Sequence, residues 1–97
     1  MAERRKIKRA ETWNELTEEN KEVFSNIAHV IRTFDESLQV YAYGSRVDGT
    51  WHDDSDYDVV VGGCKSWHKE KLFNMKFDYK VDLKISPSKK INYIKIQ

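Results

Sequence analysis

The 97 residues, 39% hydrophobic and 34% charged, suffice for one core and are too few for two. No run nears the ~18 apolar residues that span a bilayer, and the basic N-terminus lacks the apolar segment of a secretory signal. The net charge of +1 is uneven: residues 1–10 carry +4, residues 11–63 carry −9 and residues 64–97 carry +6.

Residues 1–11 read as a flexible basic tail, leaving 12–97 as the domain. Thr12-x-x-Glu15 has the form of a capping box, and Thr17 offers a second helix start. Phe24, Ile27, Ala28, Ile31 and Phe34 recur at helical spacing, which predicts an amphipathic helix to about Phe34. Leu38–Tyr43 is a first strand closed by Gly44. Residues 45–55 hold a short helical turn and a loop. Asp58–Val61, ended by Gly62-Gly63, is a second strand. Residues 66 to about 75 form a further helix anchored by Trp67, Leu72 and Phe73. Tyr79–Ile85 is a third strand, stopped by Ser86-Pro87-Ser88, and residues 91–96 add an edge strand or a last turn. The loop from Gly44 to Asp56 is too short for a parallel crossover, so the first two strands should be antiparallel. A helix joins the second and third, which should be parallel by a right-handed crossover. The fold class is therefore α/β in content and α+β in arrangement: two layers, a small mixed sheet with helices packed on it.

This order brings Gly44, Ser45, Asp56, Asp58 and Asp82 to one edge of the sheet. Alternate side chains of a strand share a face, so Asp56 and Asp58 point together while Tyr57 points away. Carboxylates about 4 Å apart repel by ~4 kcal/mol at an effective dielectric of 20. Such a cluster needs a cation, and hard oxygen donors suit magnesium completed by substrate phosphates. The glycine permits close backbone approach to a phosphate, and Ser45 adds a hydroxyl where a helical turn begins. Asp78 competes with Asp82 for the third position but falls on the approach to the strand. Asp53, Asp54 and His52 read as loop solvation, and Trp51 as loop packing. The single cysteine, Cys64, reads as a small buried residue; with no second cysteine for a disulfide, a reducing cytoplasm is the expected location. No His/Cys spacing for zinc is present.

Gly44-Ser45-Arg46, Gly49-Thr50, Ser55-Asp56 and Asp58, with the later Val81-Asp82-Leu83, resemble the minimal nucleotidyltransferase family, within the superfamily that includes DNA polymerase beta. The resemblance covers roughly residues 20–97. It implies a nucleotidyltransferase that moves a nucleoside monophosphate, AMP from ATP first, to an acceptor hydroxyl with release of pyrophosphate. By the same resemblance Asp56, Asp58 and Asp82 would be the catalytic metal ligands for two Mg2+ ions, with Mn2+ as a substitute. Gly44, Ser45 and, more weakly, Arg46 would bind the triphosphate. Larger relatives carry a second, helical domain, for which the residues after Ile85 are too few. Members of this size look like antitoxins that adenylylate a tyrosine of a helical HEPN-type partner. The alternative is a regulatory, protein-binding module that keeps the fold without turnover. Nucleic-acid binding through Arg4, Arg5, Lys6, Lys8 and Arg9 is a third, less favoured reading, because no aromatic residues interleave with that tail.

Overall fold

The computed structural model describes residues 9–85 and 93–97. Its helices are α1 (Glu18–Phe34), α2 (Ser45–Asp48) and α3 (His68–Phe73), preceded by a 3-10 turn at Trp13–Glu15. Its strands are β1 (Gln39–Tyr43), β2 (Tyr57–Gly62), β3 (Val81–Ile85) and β4 (Ile94–Lys95), arranged β3-β2-β1-β4. Antiparallel β1–β2 and parallel β2–β3 pairing match the topology read from the loop lengths. β4 pairs antiparallel with β1 and closes the other edge. The fold is α+β with a mixed sheet.

Local chemistry sets the start of α1. The Thr17 side chain accepts from the Asn20 amide at 3.2 Å, and Glu18 and Glu19 stand in the first turn, where the helix dipole favours anions. Thr12 caps nothing: it precedes the 3-10 turn without a side-chain bond, while Glu15 accepts from the Glu11 amide. The apolar stripe of α1 packs Phe24, Ile27, Ala28 and Ile31 against Val40, Ala42, Val59 and Val61. Register places those four strand residues on one sheet face. Tyr43, Asp58, Val60, Asp82 and Lys84 therefore share the opposite face.

Two expectations need correction. The tail does not run to residue 11: Ala10 is buried and its amide donates to the Val47 carbonyl at 2.8 Å. Residues 1–8, and with them most of the proposed basic module, lie outside the described residues, as do 86–92 with the Ser86-Pro87-Ser88 stop. The second helix is also shorter than residues 66–75, and Trp67 and Phe73 do not anchor it, since both are exposed. Its inward side chains are His68 and Leu72, one turn apart.

His68 fastens α3 to the end of α1. Its Nδ1 accepts from the Lys65 amide at 2.8 Å, so the ring proton sits on Nε2 and is donated to Asp35 Oδ2 at 2.8 Å. The same bond, with help from Ser37, holds the Asp35 carboxyl down to about 2. Replacing this buried ring removes a charge-assisted bond and leaves a void. His68→Ala is expected to cost about 2–3 kcal/mol in urea unfolding, a loss well beyond that of the exposed neighbour Lys69→Ala.

Candidate active site

The site begins where β1 ends. Gly44 has φ 81° and ψ −157°, a backbone region closed to residues with a side chain. It is also in contact with Asp58. A Cβ on Gly44 would overlap Asp58 Oδ2 and stand 2.8 Å from its Cγ. The chain then turns at once into α2, whose Val47 and Asp48 amides return to the Gly44 carbonyl. Gly49, at φ 82° and ψ 15°, ends α2 in the left-handed conformation.

Three strands meet here in register: Tyr43 lies opposite Asp58 on β1–β2, and Asp58 opposite Asp82 on β2–β3. The Asp58 and Asp82 carboxyls are within hydrogen-bonding reach, which favours the protonated form of Asp58. Burial, then the charges of Asp82 and Asp56, push Asp58 up to about 6. Lys84, two residues beyond Asp82 on the same face, pulls the other way. Lys84 Nζ also stands 5.9 Å from the Tyr43 ring. Burial and the two aspartates push the Tyr43 hydroxyl up to about 12, and that hydroxyl has no partner among the described residues.

Asp56 lies just before β2, exposed, and acts on Asp58 through its charge. Among the described residues no ready-made group of three or more His, Cys, Asp or Glu side chains surrounds one point. The donor set nonetheless fits magnesium. Two strand-held carboxyls side by side are what this ion takes alongside phosphate oxygens and water. Ser45 opens α2 directly after Gly44.

Arg46 has a different place from the one its motif implies. Its buried guanidinium donates to Asn20 Oδ1 at 3.2 Å and to the Ser55 carbonyl at 3.0 Å, 4.1 Å from the Tyr57 ring. Tyr57 points opposite to Asp58, so Arg46 works on the helical side of the sheet. It pins the loop that delivers Asp56 rather than reaching the carboxyl face. Asp78 is likewise on the helical side, lining a groove with Ile27 and Val30, and is no rival to Asp82. Asp48 turns outward to Arg9 at 3.6 Å, and His52 and Ser55 organise their own loop. Cys64 is half-buried, donates to the Val61 carbonyl, and burial pushes its thiol up. Sequence reasoning missed Tyr43 and Lys84. Alternation along β3 was the available signal for Lys84, two residues after Asp82, whereas Tyr43 joins the site through its register opposite Asp58.

The raised Asp58 value fixes a sign. An acid with its folded value above its unfolded one favours the folded state less as it ionises. Without metal, this group's contribution is best below about pH 4 and falls as pH rises to about 6. At full strength the shift is worth about 3 kcal/mol; solvent screening of a half-buried group leaves about 1–2 kcal/mol. Asp58→Asn should therefore stabilise the metal-free protein by that amount above pH 6 and by almost nothing near pH 4. Gly44→Ala should destabilise by about 2 kcal/mol or more, from positive φ and collision with Asp58. Thermal melts across pH test both.

Residues 25–97 match the family model described as polymerase beta, nucleotidyltransferase. No match was found among curated proteins or among solved structures. Among the described residues no helix is long and apolar enough to cross a membrane. With three quarters of its length inside that match, and the Gly-Ser turn and acid pair inside it too, the chain belongs to the polymerase beta nucleotidyltransferase family.

Proposed function

We propose that the chain is a magnesium-dependent nucleotidyltransferase of the minimal, antitoxin type, moving AMP from ATP to a protein hydroxyl and releasing pyrophosphate. The observation that carries this reading is the Asp58–Asp82 pair, set side by side by strand register against a glycine that leaves it room. Asp58 and Asp82, with Asp56, would hold the metal, and Mn2+ would serve in its place. When bound, the ion neutralises charge on the transferring phosphoryl and on the leaving pyrophosphate. Ser45 donates its hydroxyl to the triphosphate tail, and Lys84 adds a positive charge on the same face. Asp82 accepts the proton of the acceptor hydroxyl, as general bases do within hydrogen-bond reach. By the resemblance to minimal, antitoxin-type members, the second substrate in this reading is a helical HEPN-type partner presenting a tyrosine.

A regulatory reading has one observation in its favour: the three acids are not gathered around a point. Assay separates the two. Magnesium with ATP at a hundredfold excess over Kd should raise stability by ~2.7 kcal/mol, and Asp56→Asn with Asp58→Asn should remove most of that. Asp82→Asn should keep triphosphate binding by calorimetry while slowing transfer by about a hundredfold or more. Ser45→Ala should weaken triphosphate binding about tenfold with transfer at saturation little changed. Triphosphate binding without any transfer, even with a helical HEPN-type protein present, would favour the regulatory module.

A further inference from the structure

Arg46 is 5% exposed, yet its charge has no acidic partner: none of the ion pairs among the described residues includes it. Its two hydrogen bonds go to neutral oxygens, Asn20 Oδ1 and the Ser55 carbonyl, and leave three of the five guanidinium N–H donors over. Arg46 Nε and Asn20 Nδ2 are both buried without a partner among the described residues. Buried charges are ordinarily paired, so this corner is short of a negative charge and of acceptors. Bracing the loop accounts for two donors and leaves the charge unanswered. Arg46 lines a cleft of about 300 Å³, at the lower end of the range for small-ligand sites. Ser55 and Tyr57, which the guanidinium touches, line it as well, so the charged end of the side chain stands at the cleft. The Tyr57 and Tyr79 rings form an aromatic wall, edge to face at 6.0 Å, with the Tyr79 hydroxyl engaged by Asn26. The other charged lining residues are Glu19, Asp53, Asp54 and Lys80, all exposed. The cleft therefore has an acidic rim, three carboxylates against one lysine, over a buried positive charge.

We propose that this cleft binds a free aromatic amino acid, its carboxylate inward on Arg46 and its ammonium outward against Glu19, Asp53 and Asp54. A guanidinium and a carboxylate make a strong, two-pronged pairing. The two zones select a dipolar ligand by disfavouring each singly charged one. A phosphate would satisfy Arg46 but meet three carboxylates at the rim. A metal ion at the rim would lie over the guanidinium, and among the described residues no three acids gather as metal ligands. An aromatic side chain can meet the Tyr57 and Tyr79 rings edge to face. The rim acids are held apart from Arg46 by their own turn: the His52 amide donates to Ser55 Oγ at 2.9 Å and the Asp54 amide to His52 Nδ1 at 3.2 Å. Asp58 and Asp82 stand on the opposite sheet face, so the inference does not depend on the chemistry proposed there.

The test uses the full chain, labelled with nitrogen-15, and four probes. These are L-phenylalanine, its amide, which lacks the carboxylate, N-acetylphenylalanine, which lacks the ammonium, and inorganic phosphate. Phenylalanine should produce saturable shifts at Glu19, Ser55, Tyr57, Tyr79 and Lys80, with a Kd of about 1 mM or tighter. The amide and the N-acetyl compound should each bind about tenfold more weakly, since each loses one charge-assisted contact. Asp53→Asn with Asp54→Asn, both at exposed positions, should weaken phenylalanine about tenfold without weakening N-acetylphenylalanine. Arg46→Gln should abolish the binding of both; if that variant loses its dispersed spectrum, the rim variant decides alone. The inference is overturned if phenylalanine does not saturate, if either blocked compound matches it, or if the rim variant binds it as before. It is equally overturned if phosphate takes these residues in preference, or if the shifts fall on the carboxyl face instead.

Discussion

Parallel pairing of β2 with β3, in the register that sets Asp58 against Asp82, forces two carboxyl groups together on a partly buried sheet face. Isolated ions so placed would repel, and in the metal-free protein burial and the neighbouring acids raise Asp58 to about 6. The arrangement is a standing cost of the fold. Its relief requires something positively charged, and Lys84 supplies only part of that.

The rest of the structure holds the pair in place. Val59 and Val61 of β2 face the helical core while Asp58 faces away, so a one-residue slip would drive the carboxyl into the core and is strongly opposed. Gly44 keeps the end of β1 close enough to confine Asp58 without colliding with it. Arg46 braces the loop before β2 from the other side of the sheet, tying Ser55 to Asn20 of α1. The crossover from β2 to β3 is fastened through His68 and Asp35, so the segment that delivers Asp82 is tied to the end of α1. Chemistry and stability are thereby kept on opposite faces.

Much of this was legible from residue order. The helical period through Phe34, the β-branched run after Asp58 and the length of the Gly44–Asp56 loop carry the topology, because each reflects a local rule that tertiary packing did not override. Asp58 and Asp82 were legible for the same reason: strand alternation makes a carboxyl in an apolar run conspicuous. What escaped depended on three dimensions. Trp67 and Phe73 look like anchors by hydrophobicity, yet His68 fills the interior because Asp35, 33 residues earlier, supplies its partner. Arg46 belongs to a phosphate-like motif, yet Asn20 and Ser55 claim it from either side in sequence. Asp56 stands just before the strand, which begins at Tyr57, and is exposed while its charge still raises Asp58.

The central claim is that strand register creates a carboxyl pair with an unmet need for a cation. Carbon-13 NMR titration of the aspartate carboxyls, with and without saturating magnesium, tests it most directly. The account predicts that Asp58 titrates at about 6 in the metal-free protein. Magnesium should move that midpoint clearly downward, with Asp35 unmoved. An Asp58 midpoint at the ordinary carboxylate value, or one indifferent to magnesium, would contradict it.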